Sequence, residues 1–411
     1  MKKTPNRRTR RDFLRTASAA LAAPYVITTT ALGADGRPAA SERITMAGIG
    51  MGGRGRGDLG GFLRFEEVQV LAVCDVKKGG RDGAKGMVDK RYGNKDCVGY
   101  VDFREIIERD DIDTILCATP DHWHAVIGVY AMRSGKDVFC EKPLTLTIKE
   151  GRIMVDVARR YGRVFSSGSQ RVIGNYGKKA REVQAGTLGQ IHKVHVNPGG
   201  PPRHCNLPAQ DCPPDIDWNL WLGPAPWAPY NSFRCGGAYG LGGKGFRTWY
   251  DYSGGMMTDW GGHKFGGAMF ALGLDHTGPT EIIPPDGENY QHLTYKFACG
   301  IEMDLAKGGP EYEAAKGKVD GLTWEPPKHL LDRDYKGKGG LPGDFLHCVK
   351  TRETPFRDVE FAHRVATVCH LGNIALELKR PLKWDPDKEE FIDDNEANRM
   401  TWRPMREPWV I

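Results

Sequence analysis

The stretch from Arg43 to Ser167 leaves the chain few choices of fold. Short apolar runs alternate there with amphipathic segments, and such a chain builds a parallel sheet joined by right-handed helical crossovers. Residues 44–49, 68–74, 114–118, 137–140 and 164–167 read as strands, and 125–134 and 147–161 as helices. In the second helix Ile148, Met154, Val155 and Ala158 share one face, while Lys149, Glu150 and Arg159 belong to the other.

The first strand runs into Gly48-Ile49-Gly50-Met51-Gly52-Gly53-Arg54, which matches G-x-G-x-x-G at Gly48, Gly50 and Gly53. The turn is tight, a side chain at the second glycine is expected to collide with a pyrophosphate, and the helix behind aims its N–H groups at the anion. Asp75 closes the second strand 22 residues beyond Gly53. A carboxylate there accepts from a ribose 2′-hydroxyl and repels a 2′-phosphate, so NAD is favoured over NADP. Lys77 and Lys78 soften that preference, because neighbouring cations accommodate a phosphate.

Beyond residue 168 the texture changes to loops dense in Gly, Pro and aromatics, with extended segments at 291–298 and 302–305. A second, α+β domain with a mainly antiparallel open sheet is expected, ending in a helix over 344–378 broken near Pro355. The expected divisions are 1–40 as signal and linker, 41–167 as the Rossmann domain, 168–385 as the substrate and oligomerisation domain, and 386–411 as a tail.

The formal charge of +6 suggests nucleic acid until its distribution is considered. The first 34 residues hold seven Lys/Arg against Asp12 alone, which accounts for all of it. A near-neutral body offers no footprint for a phosphate backbone, so nucleic acid is set aside as a partner. Arg10-Arg11-Asp12-Phe13-Leu14, followed by an Ala/Thr-rich run, resembles a twin-arginine export signal, which implies a periplasmic or otherwise exported protein. Pro24 and polar residues interrupt that run, and no transmembrane span is expected.

The ten cysteines show no C-x-x-C pair. Cys74, Cys117 and Cys140 read as small hydrophobes in strands, while Cys205, Cys212 and Cys235 fall in a segment where an oxidising compartment permits a disulfide. His122 and His124 are two apart and diverge on a helix, so no metal site is expected, and His124 is expected to cap its helix beside the cofactor.

Two further motifs narrow the function. Cys117-Ala118-Thr119-Pro120-Asp121-His122-Trp123-His124 closes one strand, and Glu141-Lys142-Pro143 closes the next. With the glycine turn and Gly254-Gly255-Met256-Met257-Thr258-Asp259-Trp260-Gly261-Gly262-His263, the chain from Arg43 to Lys383 resembles the Gfo/Idh/MocA oxidoreductases. The resemblance implies a sugar-like substrate meeting the cofactor between two domains, homo-oligomers built through the second sheet, and Lys142, Asp259 and His263 as the catalytic set. Cofactor contacts fall to Gly48, Gly50, Met51, Gly53, Arg54, Asp75, Thr119, Pro120, His124, Glu141 and Lys142. Lys264-Phe265-Gly266-Gly267 departs from relatives that place an acidic residue three positions after the histidine.

The residues support that chemistry independently. Oxidising a secondary alcohol needs a base for the hydroxyl proton while hydride leaves for nicotinamide. Lys142 stands at the carboxyl end of a strand, where open α/β sheets bind ligands, and burial there is expected to lower its pKa. Asp259 and His263 are four apart and are expected to share a helix face. Between Trp218 and Tyr252 lie Trp221, Trp227, Tyr230, Phe233, Tyr239, Phe246, Trp249 and Tyr250, against a chain average of 9% aromatic. Their faces suit a pyranose ring; Lys142, Arg247, Trp249, Tyr250, Asp259 and His263 are taken as the substrate-binding set, with Arg203 and His204 as further candidates for hydroxyls.

Export implies a cofactor that stays bound and recycles in place. A sugar dehydrogenase satisfies this, as does a redox-neutral NAD-dependent glycosidase that oxidises, eliminates and re-reduces one substrate. The exported glycosidases related to the family lack the lysine of Glu-Lys-Pro and carry a tyrosine-bearing motif before the histidine, whereas this chain keeps Lys142 and Asp259. The dehydrogenase therefore ranks first, the glycosidase second, and a non-catalytic sugar-binding protein third.

Overall fold

The apolar runs of the first half become strands because burial covers both of their faces, the edge strand Val98–Tyr100 excepted. They are β1 Ile44–Ile49, β2 Val68–Cys74, β3 Val98–Tyr100, β4 Thr114–Cys117, β5 Asp137–Cys140 and β6 Phe165–Ser167. Every residue of β4 and β5 is buried, the pattern of a parallel strand covered by helices. The six pair parallel in the order β3-β2-β1-β4-β5-β6. The order in which the chain adds strands reverses between β1 and β4, which opens a crevice at their carboxyl ends. The computed structural model describes Gly33 and residues 38–236 and 245–411; the twin-arginine segment and Tyr239 lie outside the described residues.

The crossovers are α1 Gly53–Phe62, α2 Lys78–Tyr92, α3 His124–Arg133 and α4 Ile148–Arg160. Gly93, left-handed at φ 70°, ends α2 after Lys90 and Arg91, which suit the negative end of the helix dipole. Thr147 and Glu150 cap α4 reciprocally. Glu150, assigned from its periodicity to the outer face, is therefore buried, and desolvation pushes its carboxyl up to about 7. The edge strand β3 was missed because Val98 and Gly99 are exposed and carry no apolar alternation.

The second sheet contains β7 Ile191–His195, β8 Glu281–Ile283, β9 Thr294–Lys296, β10 Glu302–Asp304, β11 Glu311–Ala314, β12 Leu382–Asp385 and β13 Glu390–Phe391. Its order is β11-β7-β10-β9-β8-β12-β13, antiparallel throughout except for β7 with β10. Helices α5 Gly177–Ala185, α6 Gly255–Asp259, α7 Gly261–Leu272, α8 Gly340–Thr351 and α9 Val359–Leu378 follow in this half. The expected helix over 344–378 is thus two, because Arg352 turns left-handed at φ 63° and ends α8.

Helix α9 fixes the relation of the two sheets. Phe361, Val365, Val368 and Leu371 enter the core of the second sheet, while Val359, Ala362 and Ala366 enter that of the first. Gly151 of α4 permits the approach, since a Cβ there would lie 2.3 Å from His363 Nδ1. Residues 386–411, read from sequence as a tail, add β13 and then return to the first core. Trp409 is buried there, 4.7 Å from the Trp123 ring. No helix among the described residues is long and apolar enough to cross a membrane.

Candidate functional site

A cleft with about 1090 Å³ of free volume, part of it open to solvent, lies over the switch point between β1 and β4. Gly50, Gly53, Arg54, Asp75, Thr119, Pro120, Glu141, Lys142 and Arg247 line it, so the glycine turn and the Glu-Lys-Pro strand end face one space. Gly50 has φ 81°, and a Cβ there would lie 2.6 Å from Thr119 N. The constraint at this glycine is therefore the neighbouring β4 turn and the left-handed backbone, rather than the pyrophosphate expected from the motif. A Cβ on Gly52 or Gly53 would meet nothing within 4 Å, leaving the N-terminus of α1 open. Gly55, which the motif reading missed, is needed for packing, since its Cβ would lie 2.1 Å from Gly50 O. Gly48 and Met51 do not border the cleft; they pack against each other beneath it.

Asp75 Oδ1 accepts from Lys77 N at 2.8 Å, and burial pushes its carboxyl up against that bond. Lys77 donates to Cys235 O and Lys78 pairs with Asp82. Arg81 donates to Asp75 O at 2.9 Å. Across the cleft floor, Arg54 Nε donates to Glu141 Oε1 at 3.0 Å and its guanidinium also pairs with Asp58. Burial first, then the Glu141 charge, pushes the Asp58 carboxyl up to about 8. Asp58 was not anticipated, because nothing in the pattern of α1 distinguishes it from a surface aspartate.

Lys142 forms an ion pair with Asp259, which is buried, and Arg247 Nε lies 3.0 Å from the same carboxylate oxygen. The burial expected at Lys142 is thus accompanied by a counter-charge. Lys142 and Arg247 face the cleft, and Asp259 holds both from behind. Asp259 ends α6 and His263 lies in α7, so a short break separates two residues expected on one helix. A Cβ on Gly262 would lie 3.4 Å from Lys142 Cβ, which sets the α7 N-terminus against the lysine. His263 is buried, its Nδ1 has no hydrogen-bond partner among the described residues, and it does not border the main cleft. Desolvation, reinforced by Lys142, Arg171, Arg357 and Arg54, pushes its imidazole down to about 2.

Other expected residues have structural duties. His124 does not cap α3; its Nδ1 lies 2.7 Å from Pro143 O and its Nε2 3.0 Å from Thr119 O, bracing the two strand-end turns from beneath. His122 Nε2 meets Trp221 O at 3.0 Å. Trp249 is buried and donates to Phe233 O at 2.9 Å, while Tyr250 stacks under Arg403 at 3.5 Å and beside His204; none of these borders the cleft. Trp221 and Phe246 do border it, as does buried Asp121, whose Oδ2 accepts from Ser253 Oγ at 2.6 Å. Cys205, Cys212 and Cys235 are unpaired, and Cys74, Cys117 and Cys140 are buried.

Residues 202–411 match the family profile described as "Oxidoreductase family, C-terminal alpha/beta domain", and residues 43–169 match "Oxidoreductase family, NAD-binding Rossmann fold". The chain belongs to the Gfo/Idh/MocA oxidoreductase family. This Gfo/Idh/MocA protein is similar to a glycosyl hydrolase family 109 protein of Shewanella sp. (strain ANA-3), 36% identical over 122 residues, or 29% of this chain and 27% of the relative. It is 35% identical over 122 residues to an alpha-N-acetylgalactosaminidase of Shewanella oneidensis, with the same shares covered. It thus spans about a quarter of the length of these curated relatives. Myo-inositol 2-dehydrogenase from Lactobacillus plantarum has a similar fold, with a TM-score of 0.56 and 17% identity over 83% of this chain and 99% of that one. A levoglucosan dehydrogenase gives a TM-score of 0.54 at 14% identity over 83% and 99%.

Proposed function

We propose that this protein is an NAD-dependent oxidoreductase that moves a hydride between a retained nicotinamide cofactor and a hydroxyl-bearing carbon of a carbohydrate. The observation that carries the reading is Lys142, facing the same cleft as Gly50, Gly53 and Asp75 while ion-paired to Asp259. The open backbone at Gly52 and Gly53 fits a dinucleotide, because unobstructed N–H groups at the start of α1 suit a diphosphate. Asp75 would hold the ribose diol, and with Lys77 and Lys78 engaged elsewhere, NAD is the better fit than NADP. When bound, the dinucleotide supplies the hydride acceptor or donor.

The chain's own residues supply the rest. The Lys142 ammonium donates a hydrogen bond to the substrate oxygen where negative charge develops, and Asp259 keeps it aimed. His263, held neutral by burial and surrounding cations, stays behind the Lys142 wall, and the Lys142–Asp259 pair at the cleft takes up the hydroxyl proton. Trp221 and Phe246 offer ring faces to a sugar. Export by the twin-arginine route and self-association through the second sheet belong to the same proposal, and rest on the residue 10–14 motif and on family resemblance.

Native mass spectrometry of purified protein, followed by a sugar panel read through reduced-nicotinamide absorbance, tests the reading. Retained dinucleotide and sugar-dependent reduction are expected, both absent if the assignment is wrong. The glycosidase relatives favour a second reading, redox-neutral glycoside cleavage. Aglycone release from aryl glycosides without net change in nicotinamide redox state would establish it over the first.

A further inference from the structure

A second, much smaller cavity, with room for about one water-sized sphere (about 10 Å³), shares Lys142 with the main cleft. Its polar wall consists of Lys142, Ser167, Ser169, Thr258 and Arg357, and aliphatic side chains close the remainder. Arg357 is 1% exposed. Its Nε donates to Ser169 Oγ at 2.9 Å and its guanidinium lies 3.8 Å from the centre of the Phe361 ring. Its Nη1 is buried without a hydrogen-bond partner among the described residues.

A buried guanidinium normally meets a carboxylate, because an isolated charge in the interior is costly. The carboxylates of this region are engaged elsewhere. Asp358 pairs with Arg159 and Asp275 with Arg333. Asp344 accepts from the main-chain N–H groups of Lys336 and Phe356. Burial accordingly pushes the Arg357 guanidinium down to about 9, with nothing bonded to restore it. The cavity therefore has Arg357, three hydroxyls and Lys142, already paired with Asp259, on its wall, and no bonded anion for Arg357.

We propose that the cavity between Lys142 and Arg357 is a binding site for a monoatomic inorganic anion, chloride being the species of matching charge and size. Water would satisfy the hydrogen bonds but leave the charge uncompensated, and a space that admits one atom-sized occupant excludes a sugar acid or nucleotide phosphate. The bound anion neutralises Arg357 and, from the rear of the strand end, holds the backbone from which Lys142 projects. It also weakens the cationic field at His263, to which both Arg357 and Lys142 contribute.

The test uses sodium bromide as a heavier substitute. Crystals grown in bromide are expected to show an anomalous peak in contact with Arg357 Nη1. Thermal unfolding in chloride, compared with gluconate at equal ionic strength, is expected to shift upward saturably by about 2–4 °C. Ser169→Asp places a carboxylate on the polar cavity wall beside Arg357 Nε. It is expected to abolish the chloride shift while keeping the gluconate midpoint at or above that of the parent, which separates loss of the site from loss of folding. A water in the cavity without anomalous signal, or identical midpoints in the two salts, overturns the proposal.

Discussion

Lys142 and Asp259 stand 117 residues apart in the chain and meet as an ion pair, one carried by the end of β5 and the other by the end of α6. Because Asp259 also engages Arg247, a single buried carboxylate sets two cations at the cleft wall. Lys142→Ala is expected to lower kcat by about 10²–10⁴-fold, the usual range for a positioned proton or charge-stabilising group. Asp259→Asn is expected to lower kcat more than it raises KM, and to destabilise the fold by about 3–5 kcal/mol through the orphaned partners. Steady-state kinetics and denaturant unfolding of both variants check this; unchanged turnover in Lys142→Ala would sink the assignment.

Asp58 gives the cleft floor an alkaline sensitivity. Its carboxyl is raised from 3.8 to about 8, so between those values the unfolded chain has lost a proton that the folded chain keeps. Stability from this group is fully present below pH 3.8, falls as pH rises, and levels off above about 8. Ionisation near pH 8 also adds negative charge beside Arg54, where a diphosphate would approach. Asp58→Asn is expected to stabilise the protein at neutral pH by about 1–3 kcal/mol and to flatten the alkaline loss of dinucleotide affinity. Isothermal titration with NAD across pH 6 to 9 reads the second effect.

How much of this was legible in the sequence depended on the range of the interaction. Strands β4 and β5 could be read because full burial leaves a compact, largely apolar run, β1 and β2 because only one or two half-buried positions interrupt theirs, and Thr147 could not hide a helix start so strongly periodic. Lys142, Asp75 and the glycine turn announced themselves through position at strand ends. The three-residue β8 carries too few positions for a period to show, whereas β9 and β10 fall inside the extended segments read at 291–298 and 302–305. Trp249 and Tyr250 misled for a different reason: an aromatic that packs a satellite core and one that stacks on a sugar look alike in composition. Arg357 and Asp58 were invisible because their meaning lies in burial, which no local pattern encodes.

Buried histidines make an acid-labile contribution to stability that runs opposite in pH to those of Asp58 and Glu150. Burial pushes His122 and His370 down from 6.5 to about 4 each, outweighing the main-chain carbonyls of Trp221 and Thr145, which favour the charged form. Their contribution is fully present above pH 6.5 and is lost as pH falls toward 4, where the unfolded chain binds protons the folded chain refuses. Each accounts for roughly 3 kcal/mol over that window. Between pH 7 and pH 4.5 the unfolding midpoint of His122→Asn, which retains a donor for Trp221 O, is expected to rise relative to that of the parent. A parallel course in parent and variant would refute the role of His122.

The glycine turn permits a sharper separation of folding from binding. At Gly50 a methyl group meets the Thr119 main chain at 2.6 Å and the backbone is left-handed, so Gly50→Ala is expected to cost about 1–3 kcal/mol or more of stability with no ligand present. At Gly53, inside the first turn of α1, the same methyl group meets nothing within 4 Å, and alanine is a better helix former than glycine. Gly53→Ala should therefore keep or slightly raise the unfolding midpoint. If a diphosphate lies against that turn, the same substitution weakens NAD binding by crowding the ligand alone. Equal NAD affinity in Gly53→Ala and parent, with the fold intact, would place the dinucleotide elsewhere.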